Sequence, residues 1–486
     1  MVRFRKILFY FFAALYLVLC PLIIFYALGY IYAPRIDEGI VKTGLIHLES
    51  LPAGASIEIK GRPHAEKTPA TVRDLWAGTY EVTLSKPGYR PWTRRVDVAA
   101  GKAAAFDKVL LLPQELTVET LIPRSFEDLL PVPSTSYLLL FQTKKTGDIS
   151  VFDWKERSER PLLPRGSPYE ETRVVRTYVM RKSQQVLLRV NEGDRTRYLW
   201  CSLDGKEPRV RDLSTFFARG EPSDVRWEGH DPEYLFVLQG GGLTRLDLKK
   251  KRVRKNFMDG VRGFDLFRGK VFALRGCTLA RMDAEGEAGI VSLVEKGDFM
   301  EDLFRGTGAF RIDFISGRTL CFWGPQGEFI TNELPYQFVA GGLQGYEPDE
   351  DGRKIVLWQD ARLGVLDFTK ATRKKELFER GPEIDWVYEG AKDIGRAYFV
   401  YDTSHVLFCH RDGVSLVPVG QEGATPNFLV KVLEKSGIFY SERTGRLYYL
   451  EPERGYLTAA EVLPEWPGLS AVFSELEARG REETIE

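Results

Sequence analysis

The sequence predicts an all-β protein held behind a single membrane-spanning helix. Three observations predict it. An uncharged apolar run extends from Ile7 to Ala33. Short strand-like segments punctuated by Gly and Pro fill residues 43–113. A hairpin pattern then recurs from about residue 116 to 460. The 45 glycines, 26 prolines and 12% aromatic residues suit many short strands joined by tight turns. The 486 residues leave room for more than one domain. Lys plus Arg equals Asp plus Glu, 68 of each. That balance argues against a nucleic-acid binder, which carries a basic excess.

The apolar run comes first. About 20 such residues cross the roughly 30 Å of bilayer hydrocarbon, and this run is longer, so residues 7–33 span with some tilt. Arg3, Arg5 and Lys6 precede it, whereas Arg35, Asp37, Glu38 and Lys42 follow it in mixed sign. Positive charge stays on the cytoplasmic side. Residues 1–6 are therefore expected inside a bacterial inner (cytoplasmic) membrane, with everything after the single pass in the periplasm or outside the cell. A cleavable signal peptide has a shorter apolar region and a small-residue cleavage site. Tyr26-Ala27-Leu28 lacks that pattern, and Leu19 is bulky where a lipoprotein site at Cys20 needs a small residue. An uncleaved anchor is expected, kinked at Pro21, with Tyr26, Tyr30 and Tyr32 at its outer interface.

Residues 43–113 read as a small sandwich. Gly44-Leu-Ile-His-Leu-Glu is a strand, Leu51 to Ala55 a turn, and Ser56-Ile-Glu-Ile-Lys a strand with Ile57 and Ile59 on one face. Gly61-Arg-Pro is a turn. Further strands follow Thr68-Pro69, cover Gly78–Leu84 and Thr93–Val98, and close at Ala105–Leu111. The motifs Pro52-Ala-Gly-Ala55, Gly61, Thr68-Pro69, Leu75-Trp-Ala-Gly-Thr-Tyr-Glu-Val82, Lys86-Pro-Gly-Tyr89 and Trp92 together resemble the PEGA domain. Ala53 stands where that family's name-giving motif has Glu. The resemblance implies an extracytoplasmic β-sandwich of envelope and surface-layer-associated proteins, and it implies no enzyme.

From residue 116 to 460 eight hairpins recur about every 35–50 residues, the spacing of propeller blades. They begin at Ile149, Tyr198, Gly242, Thr278, Thr319, Arg362, His405 and Arg446. A β-propeller of eight blades is expected, seven being possible if one weak copy is misread. Pro348-Asp-Glu-Asp-Gly resembles the turn of Tol-type propellers, a likeness of architecture. Residues 461–486 read as a charged tail, a short helix fraying into disorder.

Candidates for chemistry are few. His405, Cys409 and His410 are the residue types of a metal site, but Cys409 and His410 are strand neighbours facing opposite ways. Asp349, Glu350 and Asp351 lack the closing ligand of a calcium loop. Lys249–Arg252 with Arg254 and Lys255 reads as an exposed hairpin turn or a contact for an anionic polymer or headgroup. Gly240–Gly242 has no following helix, so it is a turn and not a phosphate loop. Trp154, Trp200, Trp227, Trp323, Trp358 and Trp386 fall about one per blade; packing accounts for most, and an exposed one would suit a sugar. Cys201, Cys277, Cys321 and Cys409 show no paired spacing and read as unpaired thiols. No catalytic, metal or cofactor residue is therefore named, no cofactor is expected, and partner-binding residues are not assigned.

The expectation is a non-enzymatic, membrane-anchored envelope protein whose propeller binds a protein or a cell-wall glycan, with no nucleic acid. The alternatives are an envelope polysaccharide hydrolase or lyase on a propeller, and a purely structural envelope or surface-layer component.

Overall fold

The computed structural model describes residues 2–27, 30–32, 40–179, 183–205, 207–217, 220–228, 231–250, 252–282, 288–292, 304, 308–316, 319–331, 337–371, 384–390, 393–420 and 425–463. The expected charged tail lies outside them from residue 464 onward. Helix α1 covers Val2–Ala27 and continues through Pro21. It ends earlier than the apolar run. Tyr30–Tyr32 (β1), expected as helix, is extended and pairs antiparallel with Ile40–Lys42 (β2), Tyr30 opposite Lys42. Gly29 punctuates the run, and the Tyr-Ile-Tyr that follows has strand propensity.

Two compact units follow from the chain contacts, one reaching Thr117 and the other running Val118–Ala460. In the first, seven strands form two sheets. They are β3 (Gly44–Leu51), β4 (Ser56–Ile59), β5 (Arg62–Lys67), β6 (Ala70–Leu75), β7 (Gly78–Ser85), β8 (Trp92–Val98) and β9 (Ala103–Leu110). The sheet orders are β6-β3-β9 and β5-β4-β7-β8. Alternation puts Ile46, Leu48, Ile57, Val72, Val82, Leu84 and Val96 between them, all buried. Strand β5 falls where the sequence reads only the turn at Gly61-Arg-Pro. It is an exposed edge strand containing Pro63, with no apolar alternation to betray it.

The second unit opens with β10 (Val118–Ser125) and then builds eight four-stranded antiparallel sheets among the described residues. Their first strands are Asp128–Pro131 (sheet I), Arg173–Tyr178 (II), Asp224–Glu228 (III), Gly263–Phe267 (IV), Arg311–Phe314 (V), Gly345–Pro348 (VI), Arg396–Val400 (VII) and Phe439–Ser441 (VIII). Sheets I–VII are simple meanders. Sheet VIII takes three strands from the end of the unit, and its fourth is β10, paired with Tyr456–Glu461. The N-terminal strand thus closes the array, and sheet VIII packs on sheet I so that neither end sheet leaves an apolar face uncovered. This is a β-propeller.

The apolar cores lie between successive sheets. One cluster joins Leu139 and Val151 of sheet I to Val186 and Leu188 of sheet II. Others join II to III, III to IV, IV to V, V to VI and VI to VII. The cluster at Leu129, Leu138, Tyr448, Leu450 and Leu457 joins sheet VIII back to sheet I. Between VII and VIII, Tyr398 donates to the Ile438 carbonyl at 2.9 Å and stacks edge-on against Phe439. The first strands of III and IV, IV and V, and VI and VII lie side by side, so they form the inner wall.

The eight expected hairpins fall one per sheet, with a shift of position. In sheets I–IV and VI the recurring segment is the third strand. In V, VII and VIII it is the second. Second and third strands both carry buried apolar runs, so such a run alone does not separate them. None of the five cysteines forms a disulfide.

Candidate functional site

The sequence candidates are scattered. His405 and Cys409 stand four residues apart on one strand of sheet VII, about 13 Å at strand rise. That separation is too long for one metal ion, and His410 points the other way. His405 is buried against the Ser404 hydroxyl at 2.9 Å, and burial pushes its imidazole down to about 4. His410 meets the Ser415 hydroxyl at 2.9 Å. Burial lifts the Cys409 thiol to about 11 and the Cys201 thiol to about 12, so neither is poised as a nucleophile. Among the described residues no group of three His, Cys, Asp or Glu is placed to hold a metal ion.

The Asp349–Asp351 segment is the turn entering the second strand of sheet VI. The Asp349 carboxylate accepts from the Arg353 amide at 2.8 Å. Gly352 closes the turn at φ +66°, and a Cβ there would sit 2.6 Å from the Ile315 carbonyl. The basic run begins in the turn after Gly242–Asp247, where Asp247 accepts from the Lys250 amide, and it continues into the strand Arg252–Asp259. Lys251 lies outside the described residues. Trp200, Trp227 and Trp358 are buried packing residues. Trp386 is 37% exposed on the last strand of sheet VI, beneath the guanidinium of Arg362, which pairs with Glu389 at 2.8 Å.

What the fold does gather is a charged network on the inner strands of sheets III to VI. Arg226 is at its centre. Its Nε meets Asp224 at 3.1 Å, its Nη1 meets Asp265 at 3.5 Å, and both terminal nitrogens meet Asp313 Oδ1 at 3.2 Å. Arg311 Nε reaches the other oxygen of Asp313 at 2.7 Å, and the Tyr346 hydroxyl donates to the same oxygen. Asp224 accepts from the Val225 amide, and Asp265 from the Leu266 and Phe314 amides, each at 2.8 Å. The Phe314 bond ties sheet IV to sheet V.

Burial opposes the charge on Arg226, but Asp224, Asp265 and Asp313 together hold its guanidinium well above its ordinary range. Burial pushes Asp265 up to about 6, against the pull of Arg226 and with the help of the Asp313 charge. With every group ionised, three carboxylates and two guanidiniums leave one net negative charge. The arrangement can take up one proton in mildly acidic conditions and fixes four inner strands in register. A second grouping lies on the inner strands of I, VI and VII. Burial opposes the charge of Arg396, but Tyr398, Glu347 and Asp128 favour it. Asp128 also accepts from the Gly437 amide at 3.0 Å.

Glu442, just past the first strand of sheet VIII, accepts from the Asp402 amide at 2.9 Å. Burial raises its carboxyl from an ordinary 4.5 to about 7. The folded state therefore favours the protonated form. The stabilisation is fully present below pH 4.5 and is lost as pH rises toward 7. The shift corresponds to at most about 3 kcal/mol, reduced by the solvent that still reaches this side chain. Glu442→Gln keeps the acceptor and removes the charge. The urea midpoint of the wild-type propeller is expected to fall between pH 5 and pH 8 more than that of Glu442→Gln. Equal falls would exclude a raised Glu442.

Sequence reasoning missed Arg226, Asp265, Asp313 and Tyr346. The available signal was a charge inside otherwise apolar strands: Asp-Val-Arg-Trp at 224–227, Asp-Leu at 265 and Arg-Ile-Asp-Phe at 311–314.

Residues 43–112 match the PEGA domain family. No curated protein matches the chain in sequence. Among solved structures, the chain is similar to PorZ of Porphyromonas gingivalis, described as an essential bacterial surface component of the type-IX secretion system. The identity is 14%, the TM-score 0.38, and the match covers 68% of this chain but 42% of that one. It is also similar to Kluyveromyces lactis Hsv2, at 9% identity and TM-score 0.41 over 63% of this chain and 99% of that one. The Myceliophteria thermophila Cps50 (Swd1) β-propeller domain gives 14% identity and TM-score 0.36 over 60% and 97%. Likeness this remote says nothing of partners; the propeller is established by sheet order and ring closure.

Proposed function

We propose that this protein is a non-enzymatic, membrane-anchored component of a bacterial envelope. Its PEGA domain and propeller face away from the cytoplasm, and the propeller binds a protein or a cell-wall glycan. One observation carries the reading. Among the described residues, the apolar side chains of α1 between Leu8 and Phe25 are not covered by the rest of the chain; Phe9, Tyr10, Tyr16 and Leu17 are each more than two-thirds exposed. An exposed greasy helix of this length is stable in hydrocarbon, where all its backbone bonds are internal. Arg3, Arg5 and Lys6 before it favour a cytoplasmic N-terminus. The PEGA domain agrees with a place outside the cytoplasm.

The test is extraction and accessibility. The full-length chain is expected to stay in the membrane pellet through an alkaline wash, keep its first residues, and have its propeller digested by protease added to spheroplasts. A chain without residues 1–33 is expected in the soluble fraction. Recovery of the intact protein in the cytosol, or of a mature form lacking the helix, would overturn the anchor. Binding is tested by presenting residues 36–486 to an envelope extract and to a glycan panel. Retention of neither protein nor glycan would remove the binding role.

A further inference from the structure

We propose that one end of the PEGA domain is a lipid-headgroup docking surface, in which Trp76 enters the interface of the membrane and Lys60 and Lys102 meet anionic phosphates. The inference rests on the anchor reading above and adds a second, independent contact to it.

The β1–β2 pairing sets the geometry. Tyr30 is three residues beyond the end of α1 and lies directly opposite Lys42. Three residues span at most about 11 Å, and paired strands lie about 5 Å apart. The backbone of Lys42 is thus held within about 16 Å of the end of α1. A helix of 26 residues is about 39 Å long, more than the hydrocarbon thickness, so its end reaches the headgroup layer. Lys42 leads at once into Gly44, the first residue of β3. The end of the sandwich that holds Gly44 therefore faces the membrane at short range.

Three turns crowd that end. Gly44 pairs with Leu75, which places the β6–β7 turn of Trp76 and Ala77 there. Gly78 pairs with Val98, and the Gly101 amide donates to the Thr43 carbonyl at 2.9 Å, which places the β8–β9 turn there, with Lys42 lying over Gly101. The Lys60 amide donates to the Glu81 carbonyl, so the β4–β5 turn points the same way. These turns carry Lys60 and Lys102, both exposed, and the exposed Glu58 and Asp74 flank them on the adjoining strands.

Trp76 is 49% exposed, the most exposed aromatic side chain outside α1 among the described residues. Its turn is braced, because the Tyr80 hydroxyl donates to the Trp76 carbonyl at 3.0 Å and Lys60 sits 4.0 Å over the Tyr80 ring. An indole beside lysines is the composition of a membrane-interface belt. Anionic headgroups draw cations that lie within a Debye length of the surface. Residues 34–113, beyond the span, carry 12 Lys and Arg against 9 Asp and Glu, a net of +3, while residues 114–486 carry −6. The basic segment of the chain is thus the one next to the membrane span.

The experiment reconstitutes the full chain into phosphatidylcholine vesicles with and without phosphatidylglycerol, each with brominated acyl chains. Indole fluorescence is excited where tyrosine does not absorb. Flotation first reports insertion; a chain that does not float refutes the anchor itself. For inserted protein, the bromine quenching of the wild type is expected to be lost in Trp76→Phe. In phosphatidylglycerol vesicles it is expected to drop in Lys60→Glu/Lys102→Glu to the level seen without that lipid. Quenching unchanged in Trp76→Phe, or insensitive to both charge reversal and lipid charge, would overturn the docking surface while leaving the anchor standing. All three side chains are solvent-facing, so the variants are expected to fold.

Discussion

Replacing Arg226 with methionine is expected to destabilise the propeller by about 3–5 kcal/mol, the usual cost of deleting one partner from a buried ionic group. Asp224, Asp265 and Asp313 would then face each other without their common counter-charge. Asp313 keeps Arg311 and Tyr346, but Asp265 keeps only two backbone amides. Part of the cost would be relieved by proton uptake at Asp265, already raised to about 6 beside Arg226. The loss in Arg226→Met is therefore expected to shrink as pH falls from 8 toward 6. Adding Asp265→Asn should recover much of it at pH 8. Urea unfolding of the four proteins at pH 5.5 and pH 8 measures both effects. A single-variant loss below about 1 kcal/mol would show that the network contributes register and not stability, as some buried ion groups do.

The difference between what could be read in advance and what could not follows from range. Ile57 and Ile59 alternate over a few residues, and the motifs from Pro52 to Trp92 sit on short turns, so the sandwich was legible. Strand β5 was not, because its side chains are nearly all exposed and a strand without a buried face leaves no period. The propeller was legible as a repeat, since every sheet needs an apolar second and third strand to pack both faces against its neighbours. Which of the two a given apolar segment forms is not legible from the segment itself. The central network was opaque for a further reason: Arg226 and Asp313 are 87 residues apart. Only ring closure tells a reader that first strands of successive sheets are neighbours. Once that is known, single charges in strands 224–228, 263–267 and 311–314 become one site.

Gly437→Ala is expected to cost about 3 kcal/mol or more, an unusual penalty for one added methyl group. A Cβ at Gly437 would lie 1.9 Å from the carbonyl oxygen of Leu129 and 3.1 Å from its carbonyl carbon. These are backbone atoms of the first strand of sheet I, so no side-chain rotation relieves the overlap. The same glycine donates its amide to Asp128 at 3.0 Å. Sheets VIII and I can make room only by separating, which would weaken that bond and open the cluster of Leu129, Leu138, Leu450 and Leu457. The seam joins residues 309 apart in the chain, so its loss exposes apolar sheet faces that no other sheet covers. Gly395→Ala is the control. That glycine is exposed on a loop of sheet VII, and an added Cβ meets nothing within 4 Å. It is expected to leave the unfolding midpoint unchanged or raise it slightly, because alanine restricts the unfolded chain. Equal midpoints for the two variants would show that sheets VIII and I do not meet at Gly437, and the ring closure would lose its tightest contact.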